Sequence, residues 1–137
     1  MVFISVTRLR VRSFWFLPGF LSYALRSSNQ ARGAPGNLGV ELLRDARNTY
    51  WTCTAWQDEA AMRAFLMAEP HRSAMGKLAE WCDEASVVHW TQSTAELSNW
   101  QADWIEAHHR MATQGRRSKV RHPSEAHQDF RIPAPRL

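Results

Sequence analysis

The hydrophobic period switches between two and about 3.6 in a fixed order along the first 90 residues. That order limits the fold more than any single motif does. Val2 to Val11 alternates, with Val2, Ile4 and Val6 on one side and Phe3, Ser5, Thr7, Leu9 and Val11 on the other. From Ser13 to about Arg32 the period becomes helical, with Pro18 in the first turn, where its missing N–H is harmless. Gly33-Ala34-Pro35-Gly36 ends that helix in a turn. Leu38 to Leu43 is a second strand, 44–48 a hairpin turn, and Thr49 to Trp56 a third strand dense in Thr and aromatics.

Asp58 then offers an N-cap to a helix over Glu59–Ala68, with Met62, Phe65 and Leu66 on one face. Glu69-Pro70 breaks it, and Pro70 can start a second segment reaching Trp81 or Cys82. Ala85 to Trp90 is a fourth strand. The order is β-α-β-β-α-β, the ferredoxin-like plan of an antiparallel sheet with helices on one face, hence α+β. A further amphipathic helix spans Glu96–Met111, with Leu97, Trp100, Trp104 and Met111 as its stripe. The resulting organisation is a barrel domain over 1–93, an appended helix over 94–113, and a basic, Pro-containing arm over 114–137 that the barrel does not need to fold.

One-sided helix cover leaves the other sheet face bare, and the third strand gives that face aromatic residues. An apolar sheet face of this kind predicts a homodimer in which two sheets close a barrel. Seven tryptophans in 137 residues also point to a packed aromatic core, an interface or an apolar pocket.

Charge is less informative than the pI near 9.7 suggests. Arg116, Arg117, Lys119 and Arg121 hold the whole excess, because without them 13 basic residues face 13 acidic ones. No nucleic-acid motif accompanies this run, so it reads as a solvated tail rather than a nucleic-acid surface. The basic segment before Phe14–Leu25 resembles a signal peptide, but Pro18-Gly19 interrupts the apolar run and no small-x-small site follows Leu25. The run is also short of the ~20 residues that span a bilayer. Cys53 and Cys82 form no CxxC pair and read as buried thiols of a cytoplasmic protein. No metal-ligand pattern is present: His108-His109 are adjacent on a helix and diverge by ~100°.

The stretch from Tyr50 to Phe65, with a strand ending Thr54-Ala55-Trp56 and an acid-capped helix, carries a family likeness. It continues through Pro70-His71-Arg72-Ser73-Ala74-Met75, Trp81-Cys82-Asp83-Glu84-Ala85 and Val88-His89-Trp90. This pattern resembles the antibiotic biosynthesis monooxygenase superfamily over roughly residues 2–92, and within it small spheroidene monooxygenase-like proteins. The resemblance implies a dimeric α+β barrel and a pocket for a hydrophobic, polycyclic or isoprenoid-like substrate. Some members need no cofactor and others bind heme. The heme-degrading members' Asn, Trp and His positions fall on Thr7, Phe65 and Met75, so none of the three is retained.

Three functions follow: a monooxygenase acting on a hydrophobic small molecule, a heme-binding protein with His71 as axial ligand, or a non-catalytic binding module. His71 is the candidate base or ligand, because the positive end of a helix favours a neutral imidazole. Thr7, Trp51, Trp56, Phe65, Met75, His89 and Trp90 are the candidate substrate-binding residues. Tyr50, Thr52, Thr54 and Trp56 share one face of the third strand and Trp51 and Cys53 the other, so either set can line the cavity.

Overall fold

The computed structural model describes residues 1–69, 71–93 and 100–137; the side chains of His71 and Ala74 lie outside that description. The chain runs β1 (Val2–Val11), α1 (Leu17–Gly33), β2 (Asn37–Asp45), β3 (Thr49–Trp56), α2 (Glu59–Met67), α3 (His71–Trp81) and β4 (Cys82–Gln92). It continues through α4 (Trp104–Gln114), β5 (Arg116–Arg117) and α5 (Glu125–Asp129). The sheet order is β2-β3-β1-β4-β5, every pair antiparallel. The first four strands form the ferredoxin-like arrangement, and β5 adds two residues beside β4. A single 3₁₀ turn, Phe14–Phe16, precedes α1, with the Ser13 hydroxyl accepting from the Trp15 N–H. The Asp58 carboxylate accepts from the Ala61 N–H and starts α2 as the sequence predicts. The β2–β3 hairpin turns on Arg47 and Asn48, both with positive φ, a conformation Asn adopts more readily than most residues.

Register fixes which side chains share a face. Val6 lies between Cys53 and Val88, and Ile4 between Ala55 and Trp90. These residues, with Val2 and Trp51, form one core. On the opposite face Thr7 lies between Thr52 and Val87, and Leu9 between Tyr50 and Ala85. Helices α1 to α3 cover this second face through Phe20, Ala31, Met62 and Phe65.

The first face is not bare. Ala107 and Met111 of α4 pack on it, both fully buried, together with Trp100, Ala102, Trp104 and Ile132. Trp100 sits so close that a Cβ at Gly39 would collide with its ring. The apolar surface that the sequence assigns to a second copy is therefore covered by the chain itself. A homodimer has to use another surface or exchange this segment between copies. The helix also differs from expectation. It begins at Trp104, capped by the Asp103 carboxylate, and runs past Met111 to Gln114. Glu96 and Leu97 lie outside the described residues, and Trp100 packs from non-helical chain.

Residues 114–137 are not a free arm either. Ser118 N–H donates to Ala85 O, and β5 pairs with Ser86 and Val87. Arg117 Nη1 donates to Gln128 O at 2.6 Å, and Arg121 Nη1 reaches Glu80. Half the basic run therefore holds the tail to its own chain. Val120 and His127 are buried. These contacts are long in sequence and carry no period, so pattern reading finds no core in the segment.

The tail also meets a charged cluster on the first face. Arg8 Nη1 donates to Glu84 Oε1 at 2.8 Å, and both side chains are only 5% exposed. Arg10 Nη1 and Ser124 Oγ donate to Glu84 Oε2, each at 2.9 Å. Burial alone would raise the Glu84 pKa; the hydrogen bonds from Arg8, Arg10 and Ser124 overcome it and hold the carboxyl below its ordinary value.

Two outcomes follow. Met111→Ala should lower stability by ~2–5 kcal/mol in urea unfolding, because it opens a cavity under α4; an unchanged midpoint would show that α4 leaves the sheet in solution. Glu84→Gln should cost ~3–5 kcal/mol at neutral pH by leaving Arg8 buried and unpaired. Since the folded carboxyl is the stronger acid, its stabilisation is present above the unfolded value of ~4.3 and fades as pH falls through the lower folded value. The variant's stability should accordingly depend less on pH in that range.

Candidate functional site

A cavity of about 380 Å³ lies between the inner side of α1 and the helix-covered face of the sheet. Alternation along β1 and β3 builds its floor. Ser5, Thr7 and Leu9 come from β1, and Tyr50, Thr52 and Thr54 from β3. Phe20, Ala24 and Ala31 of α1 roof it, with Ser27 and Ser28. Met62, Phe65 and Leu66 of α2 and Leu78 of α3 close one end. Val40, Leu42 and Arg44 of β2 border the other side, Leu42 and Arg44 exposed.

The wall is mostly apolar, and its polar groups run in a row across two strands. Thr54 Oγ1 accepts from Trp56 Nε1 at 2.8 Å and donates to Ser5 O at 3.4 Å. The Ser28 hydroxyl is spent within α1, donating to Ala24 O at 2.8 Å. Among the described residues, no protein group hydrogen-bonds the hydroxyls of Thr7, Tyr50 or Thr52. The Tyr50 ring rests against Phe20, centroids 5.0 Å apart, at the cavity wall. This pattern suits a flat apolar molecule with one oxygen-bearing edge.

The predicted site residues divide sharply. Thr7 and Phe65 line the cavity. Trp51 borders it only through its strand position, for the ring is fully buried on the other face, beside Arg8 and His108. Trp56 is fully buried against Phe65, centroids 5.3 Å apart, and acts on the cavity by holding Thr54. Met75 is 49% exposed and outside the lining. His89 is exposed on β4 beside Phe3, and Trp90 is buried under Arg110 on the far face. Partial burial, helped by Arg116 and Arg63 and opposed by Glu59, keeps the His89 imidazole below its ordinary pKa. His71 is the first residue of α3, and its side chain lies outside the described residues.

The sequence reading missed Ser5, Ser27 and Arg44. The signal was available for the serines, which sit with Thr7 and Ser28 among apolar residues of β1 and α1. Large aromatic residues drew the reading instead. They pack where volume is needed, and here most of that volume lies beneath α4.

Among the described lining residues there is no carboxylate, histidine or thiol. Both cysteines are buried elsewhere. Burial pushes Cys53 and Cys82 up to about 12, with Glu41 and Asp83 adding to the effect, so neither is a nucleophile at neutral pH. An axial histidine or thiolate for heme is not offered by these residues. Only the Met62 thioether and the Tyr23 and Tyr50 phenols stand at the cavity. The described lining does not fit a histidine-ligated heme.

Thr54→Val should leave the Trp56 N–H buried and unpaired, at a cost of ~1–3 kcal/mol. A shifted tryptophan emission maximum with that loss would confirm the geometry; an unchanged stability would show that Trp56 has another acceptor.

Residues 23–77 match the antibiotic biosynthesis monooxygenase family. That segment supplies the second half of α1, β2, β3, α2 and much of α3, and hence most of the cavity wall. Among solved structures, the chain resembles a mutant form of SnoaB, a cofactor-independent oxygenase from Streptomyces nogalater. Identity is 24%, covering 69% of this chain and 98% of that one, with a TM-score of 0.55. It also resembles Rv0793 from Mycobacterium tuberculosis, at 10% identity over 70% of this chain and all of that one (100%), with a TM-score of 0.63. A conserved protein from Methanosarcina mazei Go1 is similar at 11% identity over 68% and 94% of the two chains, with a TM-score of 0.61. No curated protein matches the chain. The structural likenesses establish the fold, and the family match falls on the segment that shapes the cavity. The likeness to the antibiotic biosynthesis monooxygenase family thus rests on residues 23–77, and the solved structures extend it as a shared fold.

Proposed function

We propose that the chain is a monooxygenase-like enzyme that oxidises a hydrophobic, polycyclic or isoprenoid-like molecule held between α1 and the sheet. The observation that supports this reading is the cavity itself. It is apolar, large enough for a fused-ring molecule, and carries one row of free hydroxyls at Thr7, Tyr50 and Thr52. The likeness to a cofactor-independent oxygenase adds weight to it.

The described lining supplies no redox group, so the electrons come from the substrate on this reading. An enolisable ring ketone loses a proton to give a carbanion delocalised onto oxygen. The hydroxyl row and the Arg44 cation at the mouth stabilise that oxyanion. The carbanion passes an electron to dioxygen, the radicals combine, and loss of water from the hydroperoxide leaves a new carbonyl. One CH₂ and one O₂ become one C=O and one H₂O. Exclusion of bulk water by the apolar wall protects the intermediates. His71 is the proposed base, on the strength of its place at the start of α3, whose Leu78 reaches the cavity.

The partner is thus a small molecule, and the two free, buried thiols support a cytoplasmic setting. No helix among the described residues is long and apolar enough to cross a membrane.

Anthrone, a tricyclic ketone that forms a carbanion readily, is a suitable probe. Oxygen uptake should rise above the uncatalysed rate, with anthraquinone as product. Ser27→Phe should fill the cavity and abolish both binding and turnover while the fold persists. Tyr50→Phe should bind but turn over roughly a hundredfold more slowly, the loss expected for one oxyanion hydrogen bond. His71→Ala should reduce turnover without weakening binding. Binding without oxygen uptake would favour a non-catalytic module, and a Soret band in the isolated protein would favour the heme reading. Equal rates for the native protein and Ser27→Phe would sink the proposal.

A further inference from the structure

A second cavity, of about 390 Å³, lies on the opposite side of the sheet, where the C-terminal tail closes over the ends of β1, β3 and β4. Its charged lining is Arg8, Arg10, Arg47 and Arg136 against Asp45 and Glu84. Four guanidiniums and two carboxylates leave an excess of two positive charges. Asp83, 3.6 Å from Arg10 and outside the lining, reduces that excess without removing it.

Each of the two carboxylates already accepts three hydrogen bonds. Asp45 Oδ1 accepts from the backbone N–H groups of Ala46 at 2.7 Å and Arg136 at 3.0 Å, and Oδ2 from Trp51 Nε1 at 3.1 Å. Glu84 accepts from Arg8, Arg10 and Ser124. The donors are not saturated. Arg8 is buried, yet its Nε–H has no hydrogen-bond partner. Among the described residues, the guanidiniums of Arg47 and Arg136 at the rim also bond to no protein group. A buried donor without an acceptor is rare, because leaving it unpaired costs stability.

We propose that this cavity binds a small organic oxyanion, a carboxylate or phosphate ester, held by the free guanidiniums of Arg47 and Arg136 at the rim, with the buried charge of Arg8 in the cavity wall. Planar guanidiniums with free N–H groups match carboxylate and phosphate geometry. The sheet separates this site from the apolar cavity, and the inference does not depend on the proposed reaction.

The test is thermal unfolding of the full chain with inorganic phosphate or malonate at constant ionic strength, maintained with chloride. The melting temperature should rise with at least one of the two, and above the dissociation constant it should climb with the logarithm of anion concentration, since a ligand bound only to the folded state stabilises it. Phosphate and malonate then distinguish the two headgroups. The double variant Arg47→Gln with Arg136→Gln alters only exposed side chains and should fold. It should need roughly tenfold more anion for the same shift, the loss of one or two charge-assisted hydrogen bonds. Arg63→Gln, which changes net charge away from the cavity, should respond like the native protein. Absence of a shift with either anion would overturn the proposal. So would an equal response from the double rim variant, because the anion would then be acting elsewhere.

Discussion

The buried Arg8–Glu84 pair is the contact on which the arrangement of this molecule turns. β1 is the central strand, flanked by β3 and β4. Arg8 stands on it between Trp51 and Ser86, with its guanidinium 5.9 Å from the Trp51 ring. A one-residue slip of β1 would carry Arg8 into the apolar cavity and Thr7 into the core. It would also strand two charges in the interior, a far larger penalty than the pair's modest net worth when made. The pair therefore selects one register. Ser124 then ties the tail to the same carboxylate, so register and tail closure depend on one group.

That register divides β3 between two tasks. Tyr50, Thr52 and Thr54 face the helices and give the cavity its polar row. Trp51, Cys53 and Ala55 face α4 and are all buried. Trp56 ends the strand on the helix-covered face, buried with Phe65 while its N–H holds Thr54. A polar row can sit on an apolar floor because the opposite face supplies the hydrophobic volume. The sheet here has two covered faces, each enclosing one cavity, apolar beneath the helices and charged beneath the tail.

Sequence reading recovered what is periodic and local. β1 and β3 match at both ends, Asp58 caps α2, and Pro18 lies in the first turn of α1. It could not choose between the faces of β3, because both are apolar enough to be buried and the choice depends on what covers each. It placed Trp51 and Trp90 in the pocket because large aromatic residues suit pockets and cores alike. The tail was unreadable for a different reason. Its anchors pair Ser124 with Glu84 and Arg136 with Asp45, at separations of 40 and 91 residues, and no spacing rule reaches so far. β5 is two residues long, too short to leave a pattern.

The covered face has a consequence for how the chain is made. Synthesis completes the four-stranded sheet at Gln92, but the cover over Val2, Ile4, Val6, Trp51 and Trp90 arrives only with Trp100 to Ile132. At ~5–20 residues per second, the apolar face waits several seconds for its lid. During that interval the nascent sheet presents a sticky surface with two open edges, the state in which strands find wrong partners. The late residues that close the face thus end a period of vulnerability, and cellular yield should depend on elongation speed and chaperone supply over that last stretch.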